Sequence, residues 1–309
     1  MNYITTKQVS DAWNISERRV RSLCVEGRVE GAVKVGTTWN IPETASKPID
    51  NRKKLENKFI INVPQSKFDE LYEKKKILDS KRPLSEATLK SLRENYILEW
   101  TYNSNAIEGN TLTLRETKVA LEGITVSGKS IKEHLEAINH KDAIVFLEDL
   151  AKQNTLLTEI DIRDLHRLVL KGIDNENSGK YRTENVIISG ATHIPPDNVF
   201  VKEEMAKLIL KYRDWTKKYN SIIVAGLLHG EFVKIHPFID GNGRTARLLL
   251  NLVTIKNGFT PIIIKNDMRA EYYDSLDKAH TTLDYTDFIN LIIKSANMSL
   301  DLYLKVIGK

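Results

Sequence analysis

His236-Pro237-Phe238-Ile239-Asp240-Gly241-Asn242-Gly243-Arg244-Thr245-Ala246-Arg247 is the stretch that decides how the chain is read. It opens on an imidazole, whose neutral-range pKa suits a base, passes an acidic side chain and closes on two arginines. Gly241 and Gly243 flank Asn242, and glycines allow successive backbone N–H groups to converge on an anion. The apolar run from Leu248 predicts a buried helix, with the glycine turn at its N-terminus, where free amides and the helix dipole favour phosphate. Arg244 and Arg247 lie three apart, so both fit one face of the first turn. Two guanidiniums there point to a polyphosphate.

Working outward, the 309 residues suffice for a main domain and an appendage, and 41% apolar with 28% charged residues describes an ordinary globular chain. Cys24 is the only cysteine, which excludes an intramolecular disulfide and a Cys-rich zinc site. No apolar run spans a bilayer and no leader pattern opens the sequence, so the expected location is cytoplasmic, with no membrane partner. The net charge of +5 is concentrated early: residues 1–50 carry +1, residues 51–99 carry +4 and the rest is neutral. Any pull on nucleic acid is therefore mild.

The quoted stretch fits His-x-Phe-x-Asp/Glu-Gly-Asn-Gly-Arg-x-x-Arg at every fixed position and so resembles the Fic family. Ser104-Asn105-Ala106-Ile107-Glu108-Gly109 is similar to that family's Ser/Thr-x-x-x-Glu-Gly/Asn inhibitory motif. The resemblance runs from about Ser66 to the C-terminus. It implies a mainly α fold, a helical bundle with a short β-hairpin flap, and transfer of AMP from ATP to a Ser, Thr or Tyr hydroxyl of a protein. In that reading His236 is the base and Asp240 holds Mg²⁺, an ion that prefers carboxylate and phosphate oxygens. Asn242 and the amides of Gly241 and Gly243 face the α-phosphate, while Arg244 and Arg247 hold the β- and γ-phosphates. Glu108, with Ser104 and Gly109 beside it, pairs with Arg247 and blocks the γ-phosphate position. Gly243 stands where the Doc-type kinases carry Lys, which favours nucleotidyl transfer over phosphorylation.

Val186, Ile187, Ile188 and Ser189 alternate before Gly190 and the proline pair, predicting a strand hairpin over residues 186–196. By resemblance this is the flap, which borders the nucleotide and takes a target segment as an added strand. Tyr272, Tyr273 and His280 occupy the places of nucleobase contacts. His134, His140 and His166 read as packing or surface residues. Self-modification and a homodimer accompany the resemblance.

The first 48 residues are different in kind. Thr5 and Ser16 predict caps for two short helices, and residues 33–35 and 38–41 predict two strands around Gly36-Thr37. The pattern is similar to an excisionase-like winged helix-turn-helix, with Arg18, Arg19 and Arg21 placed to meet DNA; a packing module with a solvated arginine face remains open beside it. The charged stretch 49–65 is expected to be a linker between this domain and one over 66–309. Three functions stay open: adenylyl transfer restrained by Glu108, hydrolytic removal of AMP at the same site, and DNA-bound regulation with the Fic domain as effector.

Overall fold

A computed structural model describes residues 3–13, 15–48, 59–153 and 155–308. The chain divides into two units, Met1–Lys58 and Phe59–Lys309.

In the first unit, helices α1 (Thr6–Trp13) and α2 (Glu17–Val25) stand with strands β1 (Tyr3–Thr5), β2 (Val33–Val35) and β3 (Thr38–Pro42). Ser16 caps α2 by accepting from the Arg19 N–H, which satisfies one of the open amides of a helix start. The sheet order is β1-β3-β2, antiparallel throughout, with Tyr3 opposite Pro42 and Val35 opposite Thr38. Strand β1 was not expected; three residues carry no pattern of their own, and only β3 makes them a strand. Val9, Val20, Leu23 and Ile41 form the core of this unit. Of the three arginines on α2, Arg19 pairs with Glu26 at 3.3 Å and Arg21 with Glu17 at 2.8 Å. Arg18 is exposed.

The second unit is helical: α3 (Gln65–Asp79), α4 (Glu86–Ile107), α5 (Leu114–Leu121), α6 (Ile131–Lys152), α7 (Glu159–Leu170), α8 (Val201–Lys218), α9 (Ser221–Ile235), α10 (Asn242–Lys256), α11 (Arg269–Thr282) and α12 (Thr286–Val306). Helices α5, α6 and α7 each open on a reciprocal capping box, Thr113 with Glu116, Ser130 with Glu133 and Thr158 with Asp161. Two orphan amides are satisfied at each start. Helices α9 and α10 are buried on nearly every side and pack along each other, with α6 and α7 against α10 and α8 and α12 against α9. Such burial puts both helices in the middle of the bundle, with the polar side chains they carry inside it. Among the described residues no helix is long and apolar enough to cross a membrane.

Two expectations are corrected. Residues 49–58 of the expected linker lie outside the described residues, but its later part is no linker. The Phe59 ring meets Trp215 and Tyr285 edge-on at 5.6 and 5.2 Å, and the Ile60 N–H donates to the Leu283 carbonyl at 2.9 Å. Residues 186–196 form no paired strands. One turn bond, Ala191 N–H to the Ile188 carbonyl at 3.2 Å, closes the loop. The alternation is there, Val186 and Ile188 half-buried and Ile187 and Ser189 exposed, but the backbone edge has no ladder partner.

Candidate active site

Helix α9 ends at His236, which takes the left-handed conformation, φ 50° and ψ 59°, with its N–H donating to the Phe232 carbonyl. A non-glycine residue there stores strain, a recurring property of functional turns. Gly241, at φ 76°, reverses the chain into α10. Directly after it, Asn242 closes the turn on itself: its Oδ1 accepts from the Phe238 N–H at 3.0 Å and its Nδ2 donates to the Phe238 carbonyl at 2.8 Å. The Asn242 side chain is thus spent on shaping the nest. The Phe238 ring lies flat on the His166 imidazole, centroids 3.5 Å apart. His166 Nδ1 accepts from the Gly179 N–H, so Nε2 carries the proton and donates to the Asp240 carbonyl. The turn therefore hangs from α7 through one neutral histidine, whose burial pushes its pKa down to about 4.

Burial also pushes His236 down to about 4; Arg182 acts in the same direction, while the Val233 carbonyl, Glu108 and Asp240 oppose it. At neutral pH the imidazole is therefore free to take a proton.

The two arginines are placed differently. Arg244 is 2% exposed and lies between Glu136 of α6 at 3.2 Å and Asp240 at 3.1 Å. Asp240 Oδ1 also accepts from the Gly241 N–H. Burial works against the Asp240 charge, yet Arg244 and that amide hold its pKa below the usual carboxylate range.

Arg247 reaches the other way. Its Nε donates to Ser104 Oγ at 2.9 Å, its Nη2 to the Ser104 carbonyl at 2.7 Å and to Glu108 Oε1 at 2.8 Å. Its Nη1 donates to the Tyr272 hydroxyl at 3.3 Å, and that hydroxyl in turn meets His229 Nε2 at 3.0 Å. Burial opposes its charge, but Tyr272 and Glu108 keep its pKa raised. Glu108 caps α4 and keeps 30% of its side chain exposed. Gly243 makes room for it, since a Cβ there would run into Glu108 Oε1.

An open cavity of about 850 Å³ lies over this arrangement, with Glu108, Gly243, His236, Ile188, Ser189 and Tyr273 among its walls. The sequence-derived residues converge on it unevenly. His280 and both tyrosines line it, but His280 Nε2 donates to the Gly230 carbonyl, and Tyr273 donates to the Ile107 carbonyl. Tyr272 is buried with its hydroxyl on Arg247. Val186 and Ile187 stand outside the wall, Ile187 being 83% exposed. Gly109, at φ 98°, ends α4 beyond Glu108. Sequence reading missed Glu136, His229, Arg182 and Asp277, which accepts from the Thr192 and His193 N–H groups and ties the loop to α11. None belongs to a spaced motif, so only the folded chain reveals them.

Fold and site together define a helical protein with a glycine turn at a buried helix start, a histidine beside it and an acidic helix end lodged over it. The Fic/DOC family pattern matches residues 156–254. A protein adenylyltransferase fic-1 from Caenorhabditis briggsae is 39% identical over 228 residues, 71% of this chain and 43% of the relative. The chain thus spans about half the length of the curated relatives it matches. The solved structure of Fic-1 (aa134–508) from C. elegans is 35% identical with a TM-score of 0.69, covering 79% of this chain and 72% of that one. A Fic domain containing signaling protein from Bacteroides thetaiotaomicron is 32% identical with a TM-score of 0.71, covering 78% and 96%. The chain belongs to the Fic/DOC family.

Proposed function

We propose that the protein is an adenylyltransferase that moves AMP from ATP to a Ser, Thr or Tyr hydroxyl of a protein, restrained by Glu108. The observation that carries this reading is the Glu108 carboxylate on Arg247, directly over Gly243 at the start of α10. An anionic group already occupies the place that an anion nest offers to phosphate. Arg247 suits a terminal phosphate and the amides at the start of α10 the α-phosphate, and relatives named protein adenylyltransferase support ATP as the donor.

In the reaction the target hydroxyl oxygen bonds to the α-phosphorus as the bond to the β-phosphate oxygen breaks. Pyrophosphate leaves, and the hydroxyl proton passes to His236, neutral and at the cavity rim. Asp240 fits a Mg²⁺ site: its side chain is 48% exposed, its Oδ1 is engaged, and an ion that takes one or two carboxylates together with phosphates needs no larger protein cage. Bound there, Mg²⁺ would offset charge on the leaving pyrophosphate. Arg244, buried on Asp240, orients that carboxylate. The exposed loop from Val186 to Pro196 is the surface on which a target segment would lie, its unpaired backbone open to an added strand.

AMP removal is the second reading. Glu108 lines the cavity and keeps part of its carboxylate in reach of water, a position from which it can orient a hydrolytic attack.

The test is intact-protein mass of wild type, Glu108→Gly and His236→Ala after incubation with ATP and Mg²⁺, alone and with lysate proteins. AMP added to any protein by the first two and none by the third supports transfer. No AMP on any protein, together with release of AMP from a modified substrate by wild type, would replace it with the hydrolase.

A further inference from the structure

Arg182 is 4% exposed and belongs to no motif. Its guanidinium is spent on backbone alone. Nε donates to the His236 carbonyl at 2.8 Å, Nη1 to the Glu184 carbonyl at 2.8 Å and Nη2 to the Pro196 carbonyl. Its own N–H donates to the Pro237 carbonyl at 2.9 Å. Glu184 and Pro196 are the two ends of the loop that brings Ile188 and Ser189 to the cavity wall. One side chain therefore holds both ends of that loop and the backbone of the histidine at once.

A cation is a costly way to fill a buried volume. Removing it from water costs several kcal/mol; burial pushes its pKa down, Asp197 offsets that only in part, and among the described residues no carboxylate forms an ion pair with Arg182. A neutral side chain of similar size would pack without that penalty. What a guanidinium adds is a planar fork of fixed geometry, able to meet several carbonyls together. The His236 end has special need of it. His236 is left-handed, and its N–H is already fixed on Phe232; Arg182 fixes its carbonyl, so the backbone that carries the imidazole is held on both sides. The other end closes the neck of the loop, where the Asn198 N–H also donates to Asn185 Oδ1 at 2.8 Å.

We propose that Arg182 is a positioning residue: a single guanidinium that sets the backbone of the His236 base and both ends of the target-seating loop in one geometry. As a statement about transfer it rests on the adenylyltransferase reading; the mechanical link between the two segments does not. Burial is what chiefly keeps the imidazole neutral; Glu108 and Asp240 work against it, and Arg182 is the cation set against them.

The full chain is compared as wild type, Arg182→Gln and Arg182→Lys. Amide hydrogen exchange in the Gln variant should quicken by about tenfold or more, the loss of roughly one net hydrogen bond, over residues 184–196 and 236–238 together. Residues 248–254 of α10 should be unchanged. Exchange altered in only one of the two segments, in neither, or throughout α10 would overturn the link. In a Glu108→Gly background with ATP and Mg²⁺, Arg182→Gln should lower kcat about tenfold with KM for ATP within about twofold. It should also move the acid limb of the rate upward, because the imidazolium has lost a repelling charge. Arg182→Lys keeps that charge, so its acid limb should stay in place while kcat falls. Equal loss of kcat and ATP affinity, with unmoved limbs, would leave only a structural role. If Glu108→Gly itself transfers no AMP, the transfer reading fails, and the exchange experiment still decides the link.

Discussion

Glu108 Oε1 lies 2.8 Å from Arg247 Nη2, and the space its carboxylate occupies exists because residue 243 has no side chain. The contact thus has two halves, an arginine that attracts the carboxylate and a glycine that admits it.

Removing the carboxylate frees one N–H of Arg247 Nη2, while Ser104 and Tyr272 keep all three guanidinium nitrogens in place. Glu108→Gly should raise transfer about tenfold to a hundredfold, the equivalent of one charged hydrogen bond of about 1.5–3 kcal/mol. The pair is partly solvated, so thermal stability should change by less than about 1 kcal/mol. Rates by intact mass and Tm by calorimetry check both; a large drop in Tm would make Glu108 a structural residue instead.

The second half is tested by Gly243→Ala. The added methyl should expel the Glu108 carboxylate, so adding Glu108→Gly to it should change nothing further. Such non-additivity is the mark of two residues in one contact. If Glu108→Gly raises the rate equally in both backgrounds, the glycine does not admit the carboxylate.

Tyr272→Phe separates a phosphate role from a nucleobase role. The ring survives and the bond to Arg247 is lost, so ATP affinity should fall about fivefold, or roughly 1 kcal/mol, while preference among ATP, GTP and UTP stays put. Calorimetric titration of the three nucleotides reads both. Unchanged ATP affinity would show that the hydroxyl does not help Arg247.

Protons should destabilise the fold early. His166 and His236 are held near 4, His280 near 3, and His140 and His229 well below their ordinary value, each by burial first. All titrate lower in the folded protein than in the unfolded chain, so the folded state binds fewer protons below about pH 6.5. Stability is complete above that pH and falls as pH drops toward about 4, by up to about 1.4 kcal/mol per unit for each histidine. Carboxylates with depressed values, such as Glu133 near 2, lose their contribution only lower down. Urea midpoints at pH 7, 6 and 5 should decline steadily; equal midpoints would contradict the buried neutral histidines. The transfer rate of Glu108→Gly should stay level from about pH 8 to about pH 5, because its base is neutral throughout.

Much of this was readable in the chain because it is local. The motif sets the turn and the start of α10, and Ser16 announces α2 within four residues. What escaped depends on distant partners. Phe59 has meaning only beside Trp215 and Tyr285, and β1 only beside β3. Arg244 and Arg247 look alike in sequence, yet Glu136 draws one inward and Ser104 the other. Residues 186–196 have the alternation of strands, but alternation does not supply a neighbour to pair with. The Arg182 side chain serves three carbonyls, and carbonyls leave no trace in a sequence pattern.

Under the proposed restraint by Glu108, the position of Ser104 constrains how the site can be released. Both of its bonds to Arg247 come from the same helix that ends in Glu108. Withdrawing α4 would therefore strip the arginine of most of its support in the act of uncovering it, leaving a vacated but disordered site. Swinging the Glu108 side chain alone gives up a single ion pair and leaves Arg247 aimed. The easier route from silent to active is thus a rotation at one residue, with the helix standing still.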